Sequence, residues 1–304
     1  MASGRITAVI VAVVWAASAA SIACAGDVNT LRQGSEPASG DASAPYKRPR
    51  IDKPLPDGKV ARGSRNILAA WFSDPTPRYR HFVLGSEHEA GSLVVSTSDR
   101  RVFRLTLAPD SVFEDREPRI ADVDGDGLDE VIVVKSYLKG GSALAIAAVR
   151  GNALEIAAET PPIGTPFRWL NPAGVGDFDG DGRPDIALVR TPHSDGELRI
   201  LTMRDSRLVE TLAEDDVSNH AVGSRHLRLY AVADFDEDSI VDLAIPSRTR
   251  REIRFLSFKG GQMREISRVP LPAAASEDFS VVTKDGRTAV RVGFSSGRSM
   301  IVVP

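Results

Sequence analysis

Three acid-rich segments, alike in composition and evenly spaced, constrain this chain more than any other feature. They are Asp122-Val-Asp-Gly-Asp-Gly-Leu-Asp-Glu130, Asp177-Phe-Asp-Gly-Asp-Gly-Arg-Pro-Asp185 and Asp234-Phe-Asp-Glu-Asp-Ser-Ile-Val-Asp242, and their leading aspartates lie 55 and 57 residues apart. A repeat of that length holds one small antiparallel sheet, and several such sheets stacked face to face make a propeller. The rest of the chain keeps the same phase. A glycine turn falls 19 residues after the leading aspartate at Gly141 and Gly196, and later turns fall at Gly151-Asn152, Asp205-Ser206 and Gly260-Gly261. Short apolar or alternating runs between these turns, such as 143–149, 198–203 and 253–258, read as strands.

Two more repeats fit without an acidic segment. The first is expected to use 67–71, 80–84, 92–97 and 101–107 as strands A to D. The last is expected to use 278–283, 288–294 and 299–303, after which the chain stops one strand short. The expected fold class is therefore all-β: a β-propeller over residues 66–304 with about five four-stranded blades, the last of three strands. The proline-rich stretch 47–65 makes a poor partner for closing that blade.

The N-terminal region reads as an address. Residues 1–25 carry Arg5, an apolar run over 6–20 and the small-residue site Ala23-Cys24-Ala25, which is the pattern of a secretory signal peptide. Ser21-Ile22-Ala23-Cys24 loosely resembles a lipobox, so a lipid anchor at Cys24 is the alternative processing route. Residues 26–65 read as a flexible linker of Gly, Ser, Ala, Pro and acid. The expected location is extracytoplasmic: periplasm, envelope or secreted.

Composition enters by exclusion. A net charge of −3 argues against a nucleic-acid partner, and 26% charged residues exclude a multi-span membrane protein. One cysteine rules out an intramolecular disulfide and a cysteine-based zinc site.

Within each segment, acids stand at positions 1, 3, 5 and 9: Asp122, Asp124, Asp126 and Glu130; Asp177, Asp179, Asp181 and Asp185; Asp234, Asp236, Asp238 and Asp242. Carboxylates crowded in a tight loop repel one another unless a cation neutralises them. Hard oxygen ligands favour Ca²⁺, with the position-7 carbonyl of Leu128, Arg183 or Ile240 completing the set. Gly127 and Gly182 supply a sharp turn at position 6, where the third segment has Ser239, so two calcium sites and a weaker third are expected. The first half of each loop is similar to an EF-hand. Position 12 is apolar (Val133, Leu188, Ile245), so the chain runs on into a strand rather than a helix.

These loops resemble the calcium-binding loops of FG-GAP or VCBS repeats, the units of the integrin α-subunit β-propeller. The resemblance implies calcium in the A–B hairpins and ligand binding at the opposite end, and it brings no catalytic residue. That opposite end collects the B–C loops and the D–A connections, where Glu114, Asp115, Arg116, Arg168, Trp169, Asn171, His193, Asn219, His220 and Arg225 are the candidate partner-binding residues. The expected function is a non-enzymatic, calcium-stabilised binding module for an extracytoplasmic protein or polysaccharide. The alternative is a glycan hydrolase or lyase using Glu114, Asp115 and His220 as acid–base groups.

Overall fold

The computed structural model describes residues 54–304. The expected signal peptide, the lipidation site at Cys24 and the linker up to residue 53 lie outside the described residues.

The first sheet contains β1 (Ala61–Arg62), β2 (Ile67–Thr76), β3 (Glu89–Thr97) and β4 (Val102–Thr106). A short β5 (Ser111–Phe113) pairs with both β3 and the next blade, which contains β6 (Arg119–Ala121), β7 (Glu130–Tyr137), β8 (Gly141–Arg150) and β9 (Ala153–Glu159). The first two blades are thus fused into one nine-stranded sheet. The third blade is β10 (Leu170–Gly176), β11 (Asp185–Arg190), β12 (Glu197–Arg204) and β13 (Arg207–Glu214). The fourth is β14 (Ala231–Ala233), β15 (Asp242–Pro246), β16 (Glu252–Ser257) and β17 (Arg264–Pro270). The fifth has three strands, β18 (Ser280–Lys284), β19 (Arg287–Gly293) and β20 (Ser299–Val302). Every pairing is antiparallel, as short hairpin connections require.

Period-2 alternation explains why the sheets stack face to face. In β7, Val131 and Val133 pack with Ile67, Phe72 and Leu93 of the first blade, whereas Ile132 and Val134 pack with Ile186 and Leu188 of the third. In β11, Ala187 and Val189 turn the other way, toward Leu243, Ile245 and Leu256 of the fourth. Ala244 and Phe255 then meet Val290 and Val292 of the fifth. β7 and β11 are apolar on both faces because blades two and three each have a neighbour on both sides.

The first blade departs from expectation in two ways. Residues 80–84 form no strand; they belong to a long B–C loop, and 67–76 is strand B rather than A. Pro77 interrupts the ladder, and Phe82 and Gly85 take left-handed conformations with φ 57° and 65° that a strand does not admit. The first A–B hairpin is accordingly the short turn 63–66. The ordered domain also starts before residue 66. Pro54 bridges Ser73, Ala61–Arg62 pairs with β2, and Leu55 and Ala61 are buried, so the last part of the expected linker is the edge of blade one. Apolar side chains within a proline-rich stretch found a sheet edge to cover.

Candidate metal centre and loop-rich end

The three acidic segments are A–B hairpins, joining β6 to β7, β10 to β11 and β14 to β15. The same local hydrogen bonds shape the first two. Asp122 and Asp177 each accept from the N–H groups of residues three and five further on, at 2.7–3.0 Å in the first loop and 2.9 Å in the second. Asp124 and Asp126 repeat this two residues on, as do Asp179 and Asp181. Gly127 and Gly182 take φ of 90° and 86° at the turn, and Ser239 is held at 70° in the third loop, the left-handed conformation that its side chain resists.

The carboxylates converge. Asp122, Asp124 and Glu130 offer ligand oxygens that all lie within 4.8 Å of one another, as do Asp177, Asp179 and Asp185, and Asp234, Asp236 and Asp242. Position 9 is the anchor of each set. Glu130, Asp185 and Asp242 are buried, and each accepts the N–H of position 2 of its own loop (Val123, Phe178, Phe235) at 3.0, 3.2 and 2.9 Å. Burial, reinforced by the neighbouring acids of the same loop, pushes Glu130 up to about 7 and Asp242 up to about 6, and raises Asp185 as well. The position-5 acids Asp126, Asp181 and Asp238 stand outside these three-residue groups.

The residues fit a hard cation. In the third loop, the buried oxygens Asp236 Oδ1 and Asp242 Oδ1 have no hydrogen-bond partner, and an acceptor-only group left so is costly unless a cation meets it. That loop also carries its own counter-ions: Arg264 pairs with Asp236, and Lys259 with Asp238 at 2.9 Å. In the first loop, Arg65 reaches Asp122 at 3.0 Å.

The hairpins form a row. Asn66, from the short first hairpin, exchanges two hydrogen bonds with the backbone of Asp129, at 2.6 and 3.1 Å. A methyl group on Gly125 would lie 3.6 Å from Pro184 of the next loop, and one on Gly180 would lie 2.7 Å from Ile240 of the loop after. The sequence does not show this contact, because Gly180 reads simply as a turn residue until Ile240 is seen against it.

At the opposite end, the candidate partner residues divide sharply. Glu114, Asp115, Arg116, Trp169, Asn171, Asn219 and His220 are buried, so they are not an exposed surface; of the ten, Arg168 and Arg225 are exposed and His193 is intermediate. The D–A connections fold inward because their polar groups bond to one another. Asp115 pairs with Arg119 at 2.5 Å, Arg119 donates to Asn171 at 3.1 Å, and Asn171 donates to the Leu227 carbonyl at 2.9 Å. Trp169 donates its indole N–H to the Glu114 carbonyl at 2.9 Å and stacks on His193, with ring centroids 5.7 Å apart. His193 and His220 are linked ring to ring at 2.7 Å. Burial lowers them to about 4 and about 3, and for His220 the neighbouring His193 adds to the effect.

Sequence reasoning passed over His81. Its Nδ1 is 2.6 Å from Glu114 Oε1, while Ser136 donates to the other carboxylate oxygen at 2.5 Å. Placing 80–84 in a strand hid it; the proline before it was the available clue. The acid–base candidates Glu114 and Asp115 are thus both committed to partners within the fold.

Residues 122–188 match the FG-GAP-like repeat family. That span covers the first two acidic loops and the blade between them. No curated protein sequence matches this chain. Among solved structures, the exotype rhamnogalacturonan lyase YesX is similar over 83% of this chain at 13% identity, with a TM-score of 0.45. The rhamnogalacturonan lyase YesW is similar over 84% at 12% identity, with a TM-score of 0.41. A protein from Lactobacillus plantarum is similar over 80% of this chain and 69% of its own length at 12% identity, with a TM-score of 0.44. This chain spans 58% and 60% of the two lyases. The expectation of a non-enzyme is withdrawn, since two of these likenesses are lyases. At such identities they assign this chain no reaction and no catalytic residue.

Proposed function

We propose that this chain is an extracytoplasmic β-propeller whose A–B hairpins hold calcium and whose opposite, loop-rich end binds a ligand, either a protein or a polysaccharide. The observation that carries the reading is the row of three converging carboxylate groups, each anchored by a buried position-9 acid. Asp122, Asp124 and Glu130 hold the first ion, and Asp177, Asp179 and Asp185 the second. Asp126 and Asp181, with the carbonyls of Leu128 and Arg183, complete the oxygen shells. Asp234, Asp236, Asp238, Asp242 and the Ile240 carbonyl form the weaker third site, where Lys259 and Arg264 already offset part of the charge. Bound calcium neutralises the acids and fixes each hairpin against the next. Among the described residues, no helix is long and apolar enough to cross a membrane.

Thermal unfolding with calcium or EDTA tests this. For extracellular modules with Kd of about 10⁻⁴–10⁻³ M, ~10 mM Ca²⁺ stabilises by about 1.4–2.7 kcal/mol per site. Two sites then raise Tm by roughly 6–20 °C in a domain of this size. An unchanged Tm refutes the reading.

A further inference from the structure

We propose that the exposed face around the B–C loop of the first blade is the contact through which two copies of this chain pair about a two-fold axis. This rests on the reading that the loop-rich end is the binding end, and it names the partner.

Three of the seven large apolar side chains exposed among the described residues stand at this end: Phe82 at 46%, Phe167 at 51% and Val222 at 71%. Their loops touch. The Gly223 N–H, next to Val222, donates to the carbonyl of Val83, next to Phe82, at 2.8 Å. The Phe167 ring stacks on Tyr79 with centroids 5.1 Å apart, and it lies 5.6 Å from the ring of His81, the residue before Phe82. The three side chains thus come from three neighbouring loops and form one apolar patch.

Neither backbone preference nor burial accounts for the two rings. Phe82 and Phe167 take left-handed conformations with φ 57° and 58°, which a bulky residue resists. Strain that holds an aromatic ring out in water is unfavourable twice over in a single copy. Such strain collects where a partner is met, and clustered exposed apolar groups mark the same places. The two rings, each about half exposed, offer roughly 150–240 Å² per copy. That is the apolar centre of an interface of about 800 Å² a side. A centre of this size makes a weak dimer, with Kd in the micromolar range.

The charges select a second copy. Phe82 shares an open cavity of about 400 Å³ with Arg80 and Glu87. Both charged residues are exposed, neither has a hydrogen bond or ion pair among the described residues, and they do not pair with each other. One free cation and one free anion beside an apolar centre make a surface complementary to itself. A two-fold axis through the patch sets Arg80 of each copy against Glu87 of the other. A partner of one charge sign would satisfy one of the two and repel the other. A neutral polysaccharide would meet neither charge. Arg168, beside Phe167, is exposed and can stay solvated at the rim, where a charge counts for little.

The test is analytical ultracentrifugation of the full chain with calcium, at about 1–200 μM, where a micromolar monomer–dimer equilibrium is expected. Phe82→Gly relieves the left-handed strain, so its Tm should hold or rise while dimerisation weakens by at least about tenfold. Arg80→Glu alone and Glu87→Arg alone set like charges against each other, and each should weaken the dimer by at least about tenfold. Mixed in equal amounts, these two variants present opposite charges across the axis and should pair about as tightly as wild type. A chain that stays monomeric throughout, leaving this face to a polysaccharide or another protein, overturns the proposal. So does a dimer that Phe82→Gly leaves equally tight, or a mixture of the two charge variants that stays monomeric. Where Tm still rises with calcium, such a result removes this contact alone, whereas an unchanged Tm overturns the reading beneath it.

Discussion

Replacing Asp115 by alanine should be among the most damaging single changes in this protein, although it lies far from the acidic hairpins. The Asp115 side chain is 0% exposed and that of Arg119 is 5% exposed, and they meet at 2.5 Å. Without the carboxylate, Arg119 keeps the Glu117 carbonyl at 3.2 Å and Asn171 Oδ1 at 3.1 Å, and its Nε is already unpartnered. Neither remaining partner neutralises its charge. Leaving one member of a buried pair alone costs about 3–5 kcal/mol. The Arg116 N–H also loses its acceptor, Asp115 Oδ1 at 2.8 Å, which adds about 1 kcal/mol. The sum, about 4–6 kcal/mol, is a large part of an ordinary domain's stability. It corresponds to a fall in Tm of roughly 8–24 °C at this size. Calorimetry of the variant measures it. The double variant Asp115→Leu with Arg119→Met should recover most of the loss, because an apolar pair removes both charges together. A single variant within about 1 kcal/mol of wild type would refute the argument that this pair is buried and mutually dependent.

Other outcomes follow from the same geometry. Substituting Lys259 and Arg264 by alanine removes the built-in counter-ions of the third loop, so calcium titration should show its affinity rising while the first two sites stay unchanged. Gly180→Ala places a methyl 2.7 Å from Ile240 Cδ1 at φ 79°, and a loss of about 1–2 kcal/mol in chemical denaturation is expected. His193 and His220 titrate at about 4 and about 3 in the folded protein. The unfolded chain, near 6.5, therefore binds more protons below that pH, and stability should fall from about pH 6.5 downward by about 2 kcal/mol per histidine at pH 5. The double variant His193→Gln, His220→Gln should flatten that limb of the stability–pH curve.

The sequence made the blades legible where a hydrophobic alternation and an acidic hairpin occur together. Blades two to four follow directly from segments such as 185–190, whose Ile186 and Leu188 face one neighbour and Ala187 and Val189 the other. Blade one was read out of phase because its A–B hairpin, 63–66, is too short to carry acids and its long B–C loop contains an apolar stretch that imitates a strand. The B–C loops and D–A connections are legible as loops, but their polar residues look like a surface from sequence alone, whereas most of them are buried. Sequence cannot show that Asp115, Arg119 and Asn171 satisfy one another across two blades and so fold inward. Likewise, Arg65 on Asp122 and Arg264 on Asp236 join residues 57 and 28 positions apart, and no local pattern announces them.

The most direct measurement is diffraction from crystals grown in millimolar calcium, with anomalous data collected to locate the metal. Strong peaks are expected among Asp122, Asp124 and Glu130 and among Asp177, Asp179 and Asp185, with a weaker one beside Asp242. Anomalous maps featureless at all three hairpins would contradict the account.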